Sequence, residues 1–154
     1  MLLPFFHWAD TLWVSEWIRA STWAFALLEV FHLFGLTLLL GTLAVVNLRL
    51  FGVGLKGPRL ADLASDAMPF TVWGLAATMS SGFLLFASEA MKCYASGPFF
   101  IKIVLLFFAL LFTLVFHRRM TRTEQPSSAA KFGAFLSMTL WFGVGLAGRA
   151  IAFF

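Results

Sequence analysis

The chain has 154 residues, 61% of them hydrophobic, and a mean hydropathy of +0.92. Soluble domains hold about 45–50% apolar residues, so a soluble enzyme or binding module is excluded and a single small membrane domain is expected. The net charge of +4 does not mark a nucleic-acid binder, because the basic residues fall at the ends of apolar runs and in short loops; the lone Cys93 rules out an intrachain disulfide or a cysteine-cluster metal site.

The chain opens on Met-Leu-Leu-Pro-Phe-Phe-His-Trp, without a basic leader or a small-residue cleavage site, and reads as mature sequence. Residues 5–19 mix Phe6, Trp13 and Trp17 with His7, Asp10, Glu16 and Arg19. That is too polar to cross a bilayer and suits a helix lying at its surface. Four stretches then meet the length of roughly 20 apolar residues that a span needs: about 21–51, 68–91, 99–117 and 132–153. Gly52, Gly54, Gly57 and Pro58 close the first, Ser96-Gly97-Pro98 opens the third, and Gln125-Pro126-Ser127-Ser128 parts the third from the fourth. The expected fold is an all-α four-helix membrane bundle behind an N-terminal interfacial helix. No internal repeat supports an inverted-repeat transporter.

Orientation follows from the basic residues. Arg49, Lys56 and Arg59 flank the first loop, and Arg118, Arg119, Arg122 and Lys131 fill the third, against Arg19, Lys92, Lys102 and Arg149 on the other side. The positive-inside bias puts both basic loops in the cytoplasm and both termini outside, as in a bacterial inner membrane.

Within the spans the polar groups fall into stripes. The first carries Glu29, His32, Leu36, Leu43 and Asn47; the second Thr71, Gly74, Thr78, Ser81, Gly82 and Glu89. The third carries Lys102, Ala109, Thr113 and His117; the fourth Met138, Gly145 and Arg149, with Phe142 between them. Ionisable groups inside a bilayer cost several kcal/mol and normally face a protein interior, a cofactor or a water path. Glu29 and His32, three residues apart, share a face and lie roughly 10–18 Å below the outer surface at about 1.5 Å per residue. Glu89, Lys102 and Arg149 fall in the same outer portion, so the expected polar site is Glu29, His32, Asn47, Glu89, Lys102 and Arg149, with Arg149 as the partner of Glu29. For Lys102 and Glu89 the alternative is snorkelling to the headgroups; Arg49 reads as a boundary anchor.

His32 has three open readings: an interior hydrogen bond, a haem or metal ligand, or a proton carrier. An axial haem pair needs two side chains at similar depth. His117 lies too deep for His32, whereas Met138 is at a compatible depth; Met79 points off its stripe and His7 sits in the surface helix. Arg149 and Lys102 are placed to neutralise haem propionates. Glycine-flanked nucleophiles, HExxH and phosphate-binding loops are missing from the sequence.

The phrase Glu29-Val-Phe-His32-Leu-Phe-Gly35, with Gly41 and Asn47-Leu-Arg49-Leu-Phe-Gly52, resembles an uncharacterised family of small bacterial inner-membrane proteins. Pro69, Gly82-Phe-Leu-Leu-Phe86, Pro98-Phe-Phe-Ile-Lys102 and Gly148-Arg149-Ala-Ile-Ala extend the resemblance over nearly the whole chain. Position 47 in that pattern is acidic, and Asn47 departs from it. The first span is also similar, more loosely, to copper-resistance D-type membrane domains and to haem-carrying membrane protoporphyrinogen oxidases, whose early-helix histidine carries haem b; that resemblance implies His32 as the ligand. The expected function is a b-type haem-binding or redox-linked membrane subunit. The alternatives are a proton, ion or solute conduit along the polar stripes and a non-catalytic scaffold. The expected partners are the lipid bilayer and a second copy or a membrane-complex subunit.

Overall fold

The computed structural model describes residues 2–52, 59–120 and 127–153. Gly54, Lys56, Gly57, Pro58, Arg122, Gln125 and Pro126 lie outside the described residues, as do the side chains of His117, Arg118 and Arg119. Among the described residues every regular element is a helix: α1 (Leu3–Asp10), α2 (Trp13–Ala20), α3 (Ala24–Phe51), α4 (Leu60–Ser88), α5 (Ala90–Ala95), α6 (Gly97–Met120) and α7 (Ser128–Ala150), closed by a 3-10 turn, Ile151–Phe153. Four of them, α3, α4, α7 and the Gly97–Val115 part of α6, are long and apolar enough to cross a membrane.

The span boundaries differ from the sequence expectation in a consistent way. α4 starts at Leu60 instead of near residue 68 and runs straight through Pro69. Its first turns hold because Leu60 and Ala64, one turn apart on one face, bury themselves against Val46 and Leu50 of α3 and Ala134 of α7, while Asp62 and Asp66 stay exposed. Packing there outweighs the polarity that made the segment look like a loop. α7 also starts early, at Ser128, since the Ser127 hydroxyl accepts from the Ala130 N–H and satisfies one orphan donor. At the end of α3, Gly52 takes φ +79°, a left-handed stop suited to glycine.

α3 packs closely on α4, α6 packs on α7, and the two hairpins meet along α3 and α7 with a lighter contact between α4 and α6. The α3–α4 seam is built from missing side chains. A Cβ on Gly74 would stand 2.7 Å from the Leu39 nitrogen, and one on Gly35 would stand 2.9 Å from Thr78 Oγ1. Backbones that close are the usual means of joining helices where lipid removes the hydrophobic drive. The middle of the bundle is an apolar layer of Leu39, Ala109, Trp141 and Val144, with Leu43, Leu75 and Leu105 against it.

The N-terminal segment is two helices, not one, with the break at Thr11-Leu12. They fold back over the end of the bundle where α4 stops and α6 starts. Phe6, 3% exposed, is buried among Phe86, Tyr94 and Phe99 at ring-centroid distances of 5.4, 5.1 and 5.9 Å. Ser15 closes the corner by donating to the Ala9 carbonyl at 2.8 Å. Arg19 ties the pair down, donating to Asp10 Oδ1 at 2.8 Å and to the Ser88 carbonyl at 3.1 Å. The second contact satisfies a carbonyl in the last turn of α4, which has no partner in its own helix.

Candidate functional site

His32 sits in the third turn of α3, and the antiparallel register of the α3–α4 seam brings Ser81 and Gly82 opposite it. Its Nδ1 lies 2.9 Å from Ser81 Oγ. The Ser81 hydroxyl in turn donates to the Ala77 carbonyl one turn back in α4. A serine hydroxyl carries one proton; with that proton spent on Ala77, Ser81 can only accept from His32. This arrangement favours a hydrogen on Nδ1, and the ring also makes a hydrogen bond with the Thr78 backbone. Fixing one ring nitrogen by a hydrogen bond is how proteins orient an imidazole for work at the other.

Space for the ring comes from Gly82, where a Cβ would stand 3.1 Å from His32 Cε1. Across the bundle Lys102, in the second turn of α6, lays its amine over Gly148 of α7, 3.4 Å from the place of a Cβ. Lys102 is half-buried and makes no hydrogen bond or ion pair among the described residues. Both Lys102 and Glu29 are near enough to act on His32 electrostatically, and Lys102 acts likewise on Cys93. The α3, α4, α6 and α7 helices thus bring one imidazole, one amine and one hydroxyl to the N-terminal end of the bundle, with Glu29 at its margin.

Other residues expected at the site lie elsewhere. Glu29 is exposed and makes no salt bridge with Arg149, which is itself exposed and stacks its guanidinium 5.2 Å above the Phe153 ring. Glu89 occupies the break between α4 and α5 and pairs with Lys92. Asn47 is 3% exposed, but it lies toward the opposite end of α3, about 22 Å along the axis from His32 at about 1.5 Å per residue. Among the described residues its Nδ2 has no hydrogen-bond partner. Met138 is turned outward, 39% exposed, and Met79 is 42% exposed. The inward stripe of α7 is Ser137, Trp141, Val144 and Ala147, about 100° round the helix from the one expected.

Between the His32 level and a second polar level at Thr42 and Thr71, whose hydroxyls meet at 3.0 Å, lies the leucine layer. Among the described residues no three His, Cys, Asp or Glu side chains gather to hold a metal ion. Among the described residues His32 is the histidine held by side-chain and backbone partners inside the bundle.

Ser81 and Gly82 stood in the α4 stripe without being joined to His32. Counting back along an antiparallel pair from Gly74 opposite Leu39 would have matched them. Gly148 and Cys93 carried no such signal, since their places depend on how α5, α6 and α7 meet.

No curated protein and no solved structure matches the chain. Residues 5–154 match a family of unknown function, DUF6644. With four helices long and apolar enough to cross a membrane, the chain is a member of that family, a helical membrane bundle.

Proposed function

We propose that this protein is a membrane subunit that carries a b-type haem through His32. The observation that carries the reading is the relay from His32 Nδ1 to Ser81 Oγ to the Ala77 carbonyl, an orientation in which Nε2 would hold the haem. Lys102 supports it: a half-buried amine on a neighbouring helix, without an anion among the described residues, suits a propionate. His32 would be the one residue of this chain to hold it, because Met138 and Met79 are turned outward. Bound haem supplies one-electron chemistry. The chain itself orients the ligand ring, neutralises a carboxylate and, through the leucine layer, keeps water from the far half of the bundle. The likeness of the first span to haem-carrying membrane oxidases points the same way.

The test is an absorption spectrum of the protein purified from haem-supplied cells. A Soret band is expected for the wild type, lost in His32→Ala and weakened in Ser81→Ala, while all three chains insert equally. A wild-type protein with no Soret band overturns the reading.

A further inference from the structure

We infer that two copies of this chain associate side by side through α3 and α7, with Glu29 of each copy paired to Arg149 of the other. Glu29 lies in the second turn of α3 and Arg149 in the last turn of α7. These two helices are packed neighbours and run antiparallel, so both groups stand at the same end of the bundle. They carry opposite charges, both are exposed, and no ion pair joins them within the chain. An unpaired charge on an apolar flank is costly. A face holding one acid and one base is self-complementary under a two-fold axis, which closes both pairs at once.

Two glycines mark where the copies approach. Gly41 of α3 and Gly145 of α7 have no atom within 4 Å of the place of a Cβ, unlike Gly35 and Gly74, whose missing side chains are already filled by α4 and α3. Both open glycines are exposed on the spans, where a bare backbone strip admits another helix closely. The inference is independent of haem: it concerns the number of copies, not what His32 holds.

The experiment uses the full chain in nanodiscs, carrying two different tags, read by co-purification and by counting bleaching steps. The wild type is expected to show two copies. E29R and R149E, each expressed alone, place like charges across the axis and should lower association roughly tenfold. Mixing an E29R chain with an R149E chain restores both pairs across the interface, so hetero-association should return to the wild-type level. G145L, at a position open in the single chain, should leave insertion and helix content unchanged and still reduce association. A single copy per disc for the wild type overturns the inference, which is the outcome if lipid headgroups satisfy both charges. So does rescue that occurs only when both substitutions sit in one chain, or association of the single variants at the wild-type level.

Discussion

Gly74 and Leu39 meet backbone to backbone: a Cβ on Gly74 would stand 2.7 Å from the Leu39 nitrogen and 3.0 Å from its Cα. No flexible side chain is available there to move aside, so α3 and α4 would have to separate. Gly74→Ala should therefore cost about 1–3 kcal/mol, the usual range for overpacking. Gly97→Ala, at a site with nothing within 4 Å and away from the face assigned to a second copy, should cost little. Thermal unfolding in detergent, followed by circular dichroism, compares the two; equal melting temperatures would contradict the contact.

The tautomer of His32 is open to direct measurement. With the Ser81 proton committed to Ala77, 15N spectra of histidine-labelled protein should show a protonated Nδ1 and a bare Nε2 for this residue. Ser81→Ala removes the acceptor and should release the ring into a mixture of both forms, at a cost of about 1 kcal/mol. A spectrum unchanged by the substitution would mean that Ser81 does not set the ring.

Phe6 anchors the N-terminal cap. Phe6→Ala removes a ring packed against Phe86, Tyr94 and Phe99, a loss of about 3–5 kcal/mol where the neighbours cannot collapse. Limited proteolysis should then cut residues in α1 and α2 quickly while the bundle stays intact, and equal digestion of wild type and variant would refute the anchoring role.

Cys93 lies under that cap, packed with Phe6, Ala9 and Ala90. Burial pushes its thiol up to about 11, with Lys102 pulling in the opposite direction and Glu89 adding to the rise. Only the thiolate is nucleophilic, so maleimide labelling at pH 8 should be slow and should accelerate as the pH climbs toward 11. Since the folded thiol is weaker as an acid than a free one, its contribution to stability is complete below pH 9 and falls away between about 9 and 11. Phe6→Ala should speed labelling at pH 8. Labelling at the rate of a free thiol in the wild type would contradict both burial and cap.

The spans were legible because length and hydropathy alone decide them, and the α4 stripe was legible because its small residues do the packing: Gly74, Thr78 and Ser81 are all buried. The α7 stripe was not. Polarity marked Arg149, and with it Met138 and Phe142, as inward, yet Ser137 and Trp141 face the bundle, where Trp141 donates to Thr113 at 3.0 Å. Near a helix end an arginine can satisfy its charge outside the bundle, so polarity ceases to report direction there. The Glu29–Arg149 pairing expected within one chain rested on that polarity and is not formed. The break in the N-terminal helix and the place of Cys93 depend on contacts between distant segments, which no local pattern encodes.

Those distant contacts impose an order on biogenesis. Phe6 leaves the ribosome long before Phe99, its neighbour in the finished protein, so the first two helices must wait, undocked, until the third crossing has entered the bilayer. The cap cannot close before α6 is in place, and its protection from protease should report that the third crossing has inserted.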